Sequence, residues 1–195
     1  MSEAAVLKQL GIPEPHLEGL FFPDTYRMDK GSSDTALLRT AYRAMQGHLM
    51  EVWQTRSSEG VLKSAYQALI LASIIEKETG RAEDRRLVGA VFANRLRKGM
   101  LLQTDPTVIY GLGASFDGNL RKRDLLTDTP YNTYTRLGLP PTPIAVPGRA
   151  SLEAAVHPIN SDALYFVARG DGSSEFSATL EAHNRAVNRY QRGGK

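Results

Sequence analysis

The chain has 195 residues, and 24 lysines and arginines against 21 acidic residues leave a net charge of +3. That length fits one domain or two small ones, and 42% hydrophobic with 23% charged residues supplies a conventional core and excludes a disordered composition. Zero cysteines exclude disulfide frameworks, thiolate nucleophiles and cysteine-ligated zinc, and the four histidines, at 16, 48, 157 and 183, are too scattered for a HExxH-type pair, so neither a metal nor another cofactor is expected.

The start, Met-Ser-Glu-Ala-Ala, carries no signal-peptide pattern, and no stretch approaches the roughly 18 apolar residues of a membrane span. Residues 1–16 read as a polar leader to a soluble domain. Leu17 to Phe22 reads as an extended segment, stopped by the turn pair Pro23-Asp24. A helix is expected from about Asp34 to Gln54, capped by Ser33 or Asp34. A second is expected from about Gly60 to Thr79 with Gly80 beyond it, and a third from about Glu83 to Lys98, acidic at its start, basic at its end and followed by Gly99. From 100 to 150 glycine and proline recur, which marks a long loop-rich segment. Its tyrosines, Phe116, Leu137 and Ile144 argue for order and function over disorder. A short helix near Ser151 to Val156 ends at His157-Pro158. Leu164 to Ala168 and Glu175 to Ser177 flank Gly170-Asp171-Gly172 as a hairpin, and a closing helix spans about Thr179 to Tyr190. The expected class is α+β: a mostly helical single domain with a small hairpin.

The second helix holds the most informative acid. At about 100° per residue, Glu76 falls on one line with Leu62, Ala65, Leu69 and Ala72, whereas Glu78 falls nearer Lys63, Ser64 and Gln67. A carboxylate among apolar residues finds a partner or takes up a proton. A carboxyl raised from about 4.3 to near 6 goes from about one protonated molecule in 500 at pH 7 to about one in ten, enough for a general acid. The alternative is an ion pair with Lys77, Arg81, Arg85 or Arg86, and periodicity alone does not choose.

Other groups carry two readings each. Asp105-Pro106-Thr107 is an N-cap with proline at the first helical position, which still lets Gln103, Thr104 and Asp105 face a cleft. Asn132, between Tyr131 and Thr133-Tyr134, either holds a turn or joins the tyrosines in recognising sugar rings and N-acetyl groups. Glu18 and Asp24 read as surface or turn acids. Arg121-Lys122-Arg123 reads as a solvated face without the aromatics of a nucleic-acid platform, so the sequence pI near 9.2 does not imply nucleic acid.

Six ordered blocks together resemble the YceG-like endolytic murein transglycosylases. They are Glu18-Gly19-Leu20-Phe21-Phe22-Pro23-Asp24-Thr25-Tyr26, Ala72-Ser73-Ile74-Ile75-Glu76-Lys77-Glu78-Thr79, Val91-Phe92-Ala93-Asn94-Arg95-Leu96, and Leu102-Gln103-Thr104-Asp105-Pro106-Thr107-Val108-Ile109-Tyr110-Gly111. Tyr131-Asn132-Thr133-Tyr134 with Gly138-Leu139-Pro140-Pro141-Thr142-Pro143-Ile144, and His157-Pro158 with Tyr165-Phe166-Val167-Ala168, complete the set. The resemblance implies cleavage of peptidoglycan glycan strands between N-acetylmuramic acid and N-acetylglucosamine. The products carry 1,6-anhydro ends, strand length is limited and no cofactor is used. The first acid of Glu-Lys-Glu, Glu76, maps to the catalytic glutamate, and Gln103, Asp105, Asn132 and Tyr134 are the candidates for binding the substrate, by steadying its N-acetyl groups and the oxocarbenium-like transition state. The alternatives are a muramidase hydrolysing the same bond and a non-catalytic glycan-binding module. The family's usual histidine two residues before the hairpin phenylalanine is Ser174 here. The family's membrane helix and LysM-like subdomain have no counterpart in this sequence. Residues 17–195 are therefore expected to be the catalytic domain of a protein tethered at the periplasmic face of the inner membrane, with cell-wall synthesis enzymes as partners.

Overall fold

A computed structural model describes residues 2–57 and 60–193. The centre is helix α3, Ala65–Glu78, in which every residue from Ala68 to Ile75 is buried. A helix apolar all round must be wrapped on several sides. Here α2 (Asp34–Gln54), α4 (Ala82–Arg97) and α7 (Arg149–Val156) do the wrapping. The core comprises Met45, Leu49, Leu69, Leu71, Ile74, Ile75, Val88, Phe92 and Leu152, with further residues around them. Gly89 lets α4 and α7 approach each other, because a Cβ there would come within 2.5 Å of the Ala154 carbonyl oxygen.

Helix α2 has the expected bounds, with Ser33 as its cap: the Ser33 hydroxyl accepts from Ala36 N at 3.2 Å. Helix α3 starts later than expected. Ser64 caps it by accepting from Gln67 N, and the Gln67 side chain accepts back from Lys63 N at 2.8 Å. This reciprocal cap, close to a capping box, sets the boundary against the propensity of the residues before it. Two expectations near the N-terminus change. Residues 3–10 form a helix, α1 (Glu3–Leu10), closed by left-handed Gly11, and Leu7 and Ile12 enter the core. The Leu17–Phe22 segment is a turn and not a strand: Leu20 N donates to Leu17 O at 3.2 Å, and Gly19 has φ +79°. Pro143 fills the space where a Cβ on Gly19 would sit.

The loop-rich segment contains α5 (Asp105–Leu112), a single 3₁₀ turn (Gly113–Ser115) and α6 (Lys122–Leu126). Its proline-rich end is pinned to the core where Ser73 Oγ accepts from Ile144 N at 3.0 Å. Arg121 pairs with Asp117 on the surface, in keeping with a solvated basic run. Strands β1 (Tyr165–Ala168) and β2 (Ser174–Ser177) form one antiparallel hairpin with Phe166 opposite Phe176, and α8 (Leu180–Tyr190), capped by Thr179, packs on it. The α+β class read from the sequence is the one observed.

Candidate active site

A cavity of about 660 Å³ opens between the end of α3, the start of α5, the hairpin and α8. Glu78, Gln103, Asp105 and Tyr134 line one side; Tyr165, Ser174 and His183 line the other. Two loop strands zipped by backbone contacts build the first side. Gln103 N donates to Thr133 O at 3.1 Å, and Thr104 N donates to Thr133 Oγ1 at 3.1 Å. This register brings Tyr134 over the start of α5, where its hydroxyl donates to Asp105 Oδ1 at 2.5 Å.

Proline occupies the second residue of α5, so the flanking residue is Thr104 and not Asp105. Thr104 makes no side-chain cap, because its hydroxyl donates to Glu78 Oε1 instead. Burial raises the Glu78 carboxyl above the ordinary glutamate range; the Thr104 hydrogen bond works against that shift and the negative charge of Asp105 works with it. One carboxyl is thus disposed to hold a proton beside another in a cleft. This is the arrangement that separates an acid from an electrostatic stabiliser.

Arg95, 7% exposed, fixes the floor. Its Nε donates to Leu164 O at 2.7 Å, and Nη1 donates to Leu101 O, Leu102 O and Gln103 Oε1 at 3.0, 3.0 and 3.2 Å. Its guanidinium also lies 5.0 Å from the centre of the Tyr165 ring. Gln103 is held with φ +53°, the one non-glycine residue of positive φ among the described residues. With its oxygen on Arg95, the amide nitrogen of Gln103 is the end left to donate.

Two residues assigned from the sequence lie outside the lining of this cavity. Glu76 does not line this cavity. It leaves α3 on the side facing α7, where Oε2 accepts from Gly148 N at 3.0 Å and Ser151 Oγ at 2.6 Å. It therefore serves as a carboxylate cap on the N-terminus of α7. Neither that partner nor the cavity involves the cations considered from the sequence. Asn132 is fully buried, and its amide is spent on the loop: Nδ2 donates to Leu125 O at 3.0 Å and Thr127 O at 2.7 Å, and Oδ1 accepts from Tyr134 N at 2.8 Å. It holds the turn that positions Tyr134.

Sequence reasoning missed Glu78, Arg95 and His183. The signal available for Glu78 was its place as the last residue of α3, where a helix face no longer predicts surroundings. His183 stacks on Tyr165 at 5.2 Å; burial, with the nearby Arg95 charge, lowers its proton affinity. Ser174 occupies the cavity wall where the resembled family carries histidine, and its N–H donates to Asp84 Oδ2 at 2.9 Å. Among the described residues, no group of three or more histidine, aspartate or glutamate side chains could hold a metal ion.

Comparison with known proteins bears on the whole chain. An endolytic murein transglycosylase of Bacillus subtilis is 41% identical over 89% of this chain and 48% of its own length. One from Streptococcus pneumoniae is 33% identical over 88% of this chain and 32% of its own. The chain thus spans about half or less of the curated relatives it matches. The crystal structure of a yceG-like protein from Listeria monocytogenes superposes with a TM-score of 0.75 at 36% identity, over 95% of this chain and 67% of that one. With the YceG-like family profile matching residues 2–189, the chain belongs to the YceG-like family.

Proposed function

We propose that this chain is the catalytic part of a lytic transglycosylase that cuts peptidoglycan glycan strands internally, between N-acetylmuramic acid and N-acetylglucosamine, with Glu78 as its general acid and base. The observation that carries the reading is the Glu78 carboxyl, raised by burial and by Asp105 in a cavity of about 660 Å³. The relatives named endolytic murein transglycosylases supply the substrate class.

Glu78 gives its proton to the glycosidic oxygen as the C1–O bond breaks. Asp105, anchored by Tyr134, faces the developing positive charge of the sugar ring, and the amide of Gln103 donates to an acetamido oxygen. The Glu78 carboxylate then removes the proton of the muramic C6 hydroxyl, whose oxygen closes on C1. The proton returns to Glu78, no water is consumed, and the released end is 1,6-anhydro-muramic acid. General acid and base steps of this kind contribute about 10² to 10⁴ each.

One observation favours a second reading. Two carboxyls side by side are also the equipment of a hydrolase, in which Asp105 positions a water. Mass spectrometry of products from uncrosslinked glycan separates the two: anhydro ends carry one water less than reducing ends. Anhydro products that vanish in Glu78→Gln and persist in Glu76→Gln support the proposal. Reducing ends replace it with hydrolysis. Glycan binding without any cleavage replaces it with a binding module. In the cell, the proposal places the chain at the periplasmic face of the inner membrane, alongside enzymes of wall synthesis; among the described residues no helix is long and apolar enough to cross a membrane. Fractionation of the full-length protein tests that placement.

A further inference from the structure

Helix α4 has a second lined face. Phe92 and Arg95 look into the cavity described above, while Ala90, Ala93, Asn94 and Arg97 line a separate groove of about 490 Å³ on the other side. Its remaining walls come from the end of α2 with Trp53 and Arg56, from Val61 and Leu62, and from the segment after α7. Three guanidinium groups reach this groove, and no aspartate or glutamate is among its described lining residues. The described lining residues thus carry an excess of three positive charges.

Among the described residues the three cations donate only to neutral acceptors. Arg56 Nη1 donates to Trp53 O at 2.8 Å, Arg86 Nε to His157 O at 2.9 Å, and Arg97 Nη1 to Asn94 Oδ1 at 2.7 Å. None of them takes part in an ion pair among the described residues, unlike Arg121, Arg136, Arg149 and Arg169, which each hold a carboxylate. Each guanidinium carries five N–H donors, so most remain available for an anion. Between them lies an apolar floor, Val61, Leu62, Ala90, Ala93 and Val156, beside an indole face covered by Arg56 at 4.0 Å. A bare phosphate polymer would satisfy the charges and leave that floor wet. A peptide of small apolar residues and free carboxylates satisfies both.

We propose that this groove binds a carboxylate-bearing short peptide, and that in the substrate the peptide is an arm branching from the glycan strand held in the cavity. Only the source of the peptide rests on the peptidoglycan reading; the binding chemistry does not. Because α4 lines both sites, an arm in the groove and a strand in the cavity are registered by one rigid element.

Trp53 is the chain's sole tryptophan, so its emission reports on this groove alone. The test titrates the intact chain with N-acetyl-L-alanyl-γ-D-glutamyl-meso-diaminopimelate, with the same peptide amidated at its carboxyls, and with an oligomer of glycerol phosphate. The expected result is a saturable change with the acidic peptide that weakens with salt. In the double variant Arg86→Gln and Arg97→Gln its affinity falls by about tenfold or more, the scale of lost charge-assisted hydrogen bonds. The double lysine variant, at an unchanged melting temperature, recovers part of it. Equal binding of acidic and amidated peptide, no saturable change, or tighter binding of the glycerol phosphate oligomer overturns the proposal. Cleavage is the second readout. The wild type should cut peptide-bearing strands faster than strands stripped of peptide, and the glutamine double variant should cut both at the stripped rate. Peptide binding in a protein that cuts no glycan would sink the catalytic reading and leave the groove standing.

Discussion

Glu76 and Glu78 stand two residues apart on the last turn of α3 and live in opposite worlds. Glu76 meets the N-terminus of α7, where it accepts from a backbone N–H and from the Ser151 hydroxyl. Glu78 meets a single threonine hydroxyl, which favours its charged form, but burial and the negative field of Asp105 outweigh it and favour the neutral form. The same residue type thus joins two helices on one side and lines a cavity beside Asp105 on the other. What differs is the burial of Glu78 beside Asp105 and the number of donors aimed at each carboxyl.

The largest effect that can break this comparison is catalytic. Glu78→Gln should lower the rate of strand cleavage by about 10² to 10⁴, while Glu76→Gln should retain a rate within roughly tenfold of wild type. Thermal melts read the converse. Glu76→Gln should cost about 1.5–3 kcal/mol, because charge-assisted bonds to Gly148 and Ser151 are lost. Glu78→Gln should melt no lower than wild type at pH 8. The sign follows from burial: the folded state holds the Glu78 proton more tightly than the unfolded chain does. That contribution is complete below the ordinary glutamate value of about 4.3 and is lost as pH rises through the raised value. Interchanged behaviour of the two variants would refute the comparison outright.

A smaller shift tests the electrostatic coupling. Asp105→Asn removes a negative charge that raises the Glu78 carboxyl, so Glu78 should ionise at lower pH. The alkaline limb of the pH–rate profile then moves toward acid, whatever happens to the maximal rate. A limb that stays in place would show that Asp105 does not act on Glu78.

The difference between the two glutamates also shows where sequence reading stops. Helix-length periodicity and caps made α2, α4, α8 and the hairpin legible, since Ser33, Gly99, Thr179 and Gly170-Asp171-Gly172 act on their own neighbours. Gln103, Asp105 and Tyr134 were also legible as cavity residues, because a proline-bearing helix start and a Tyr-Asn-Thr-Tyr turn are local chemistry. The surroundings of Glu76 and Glu78 were not. The wheel placed Glu76 on the apolar line correctly, but the element packed against that line is α7, about 75 residues onward, and its N-terminus supplies two donors. Asn132 failed for a related reason: an amide suited to a ligand is equally suited to three loop carbonyls, and the choice depends on how α6 ends.

The smallest predicted change in stability concerns Gln103, where fold and site compete most closely. A left-handed backbone costs a side-chain-bearing residue about 1–2 kcal/mol, a cost that glycine avoids. Gln103→Gly also forfeits the charge-assisted hydrogen bond from Arg95, about 1.5 kcal/mol because the same Nη1 keeps two carbonyls, and Gln103 N keeps Thr133 O. The two terms nearly cancel, so the melting temperature should stay close to wild type. Catalytic efficiency should still fall, mainly through KM, because a fixed amide donor has left the wall beside Glu78. A clear drop in melting temperature with normal kinetics would mean that Gln103 bears its strain to hold the Arg95 floor. Intact stability with a raised KM means that the strain is borne to aim the amide at the substrate.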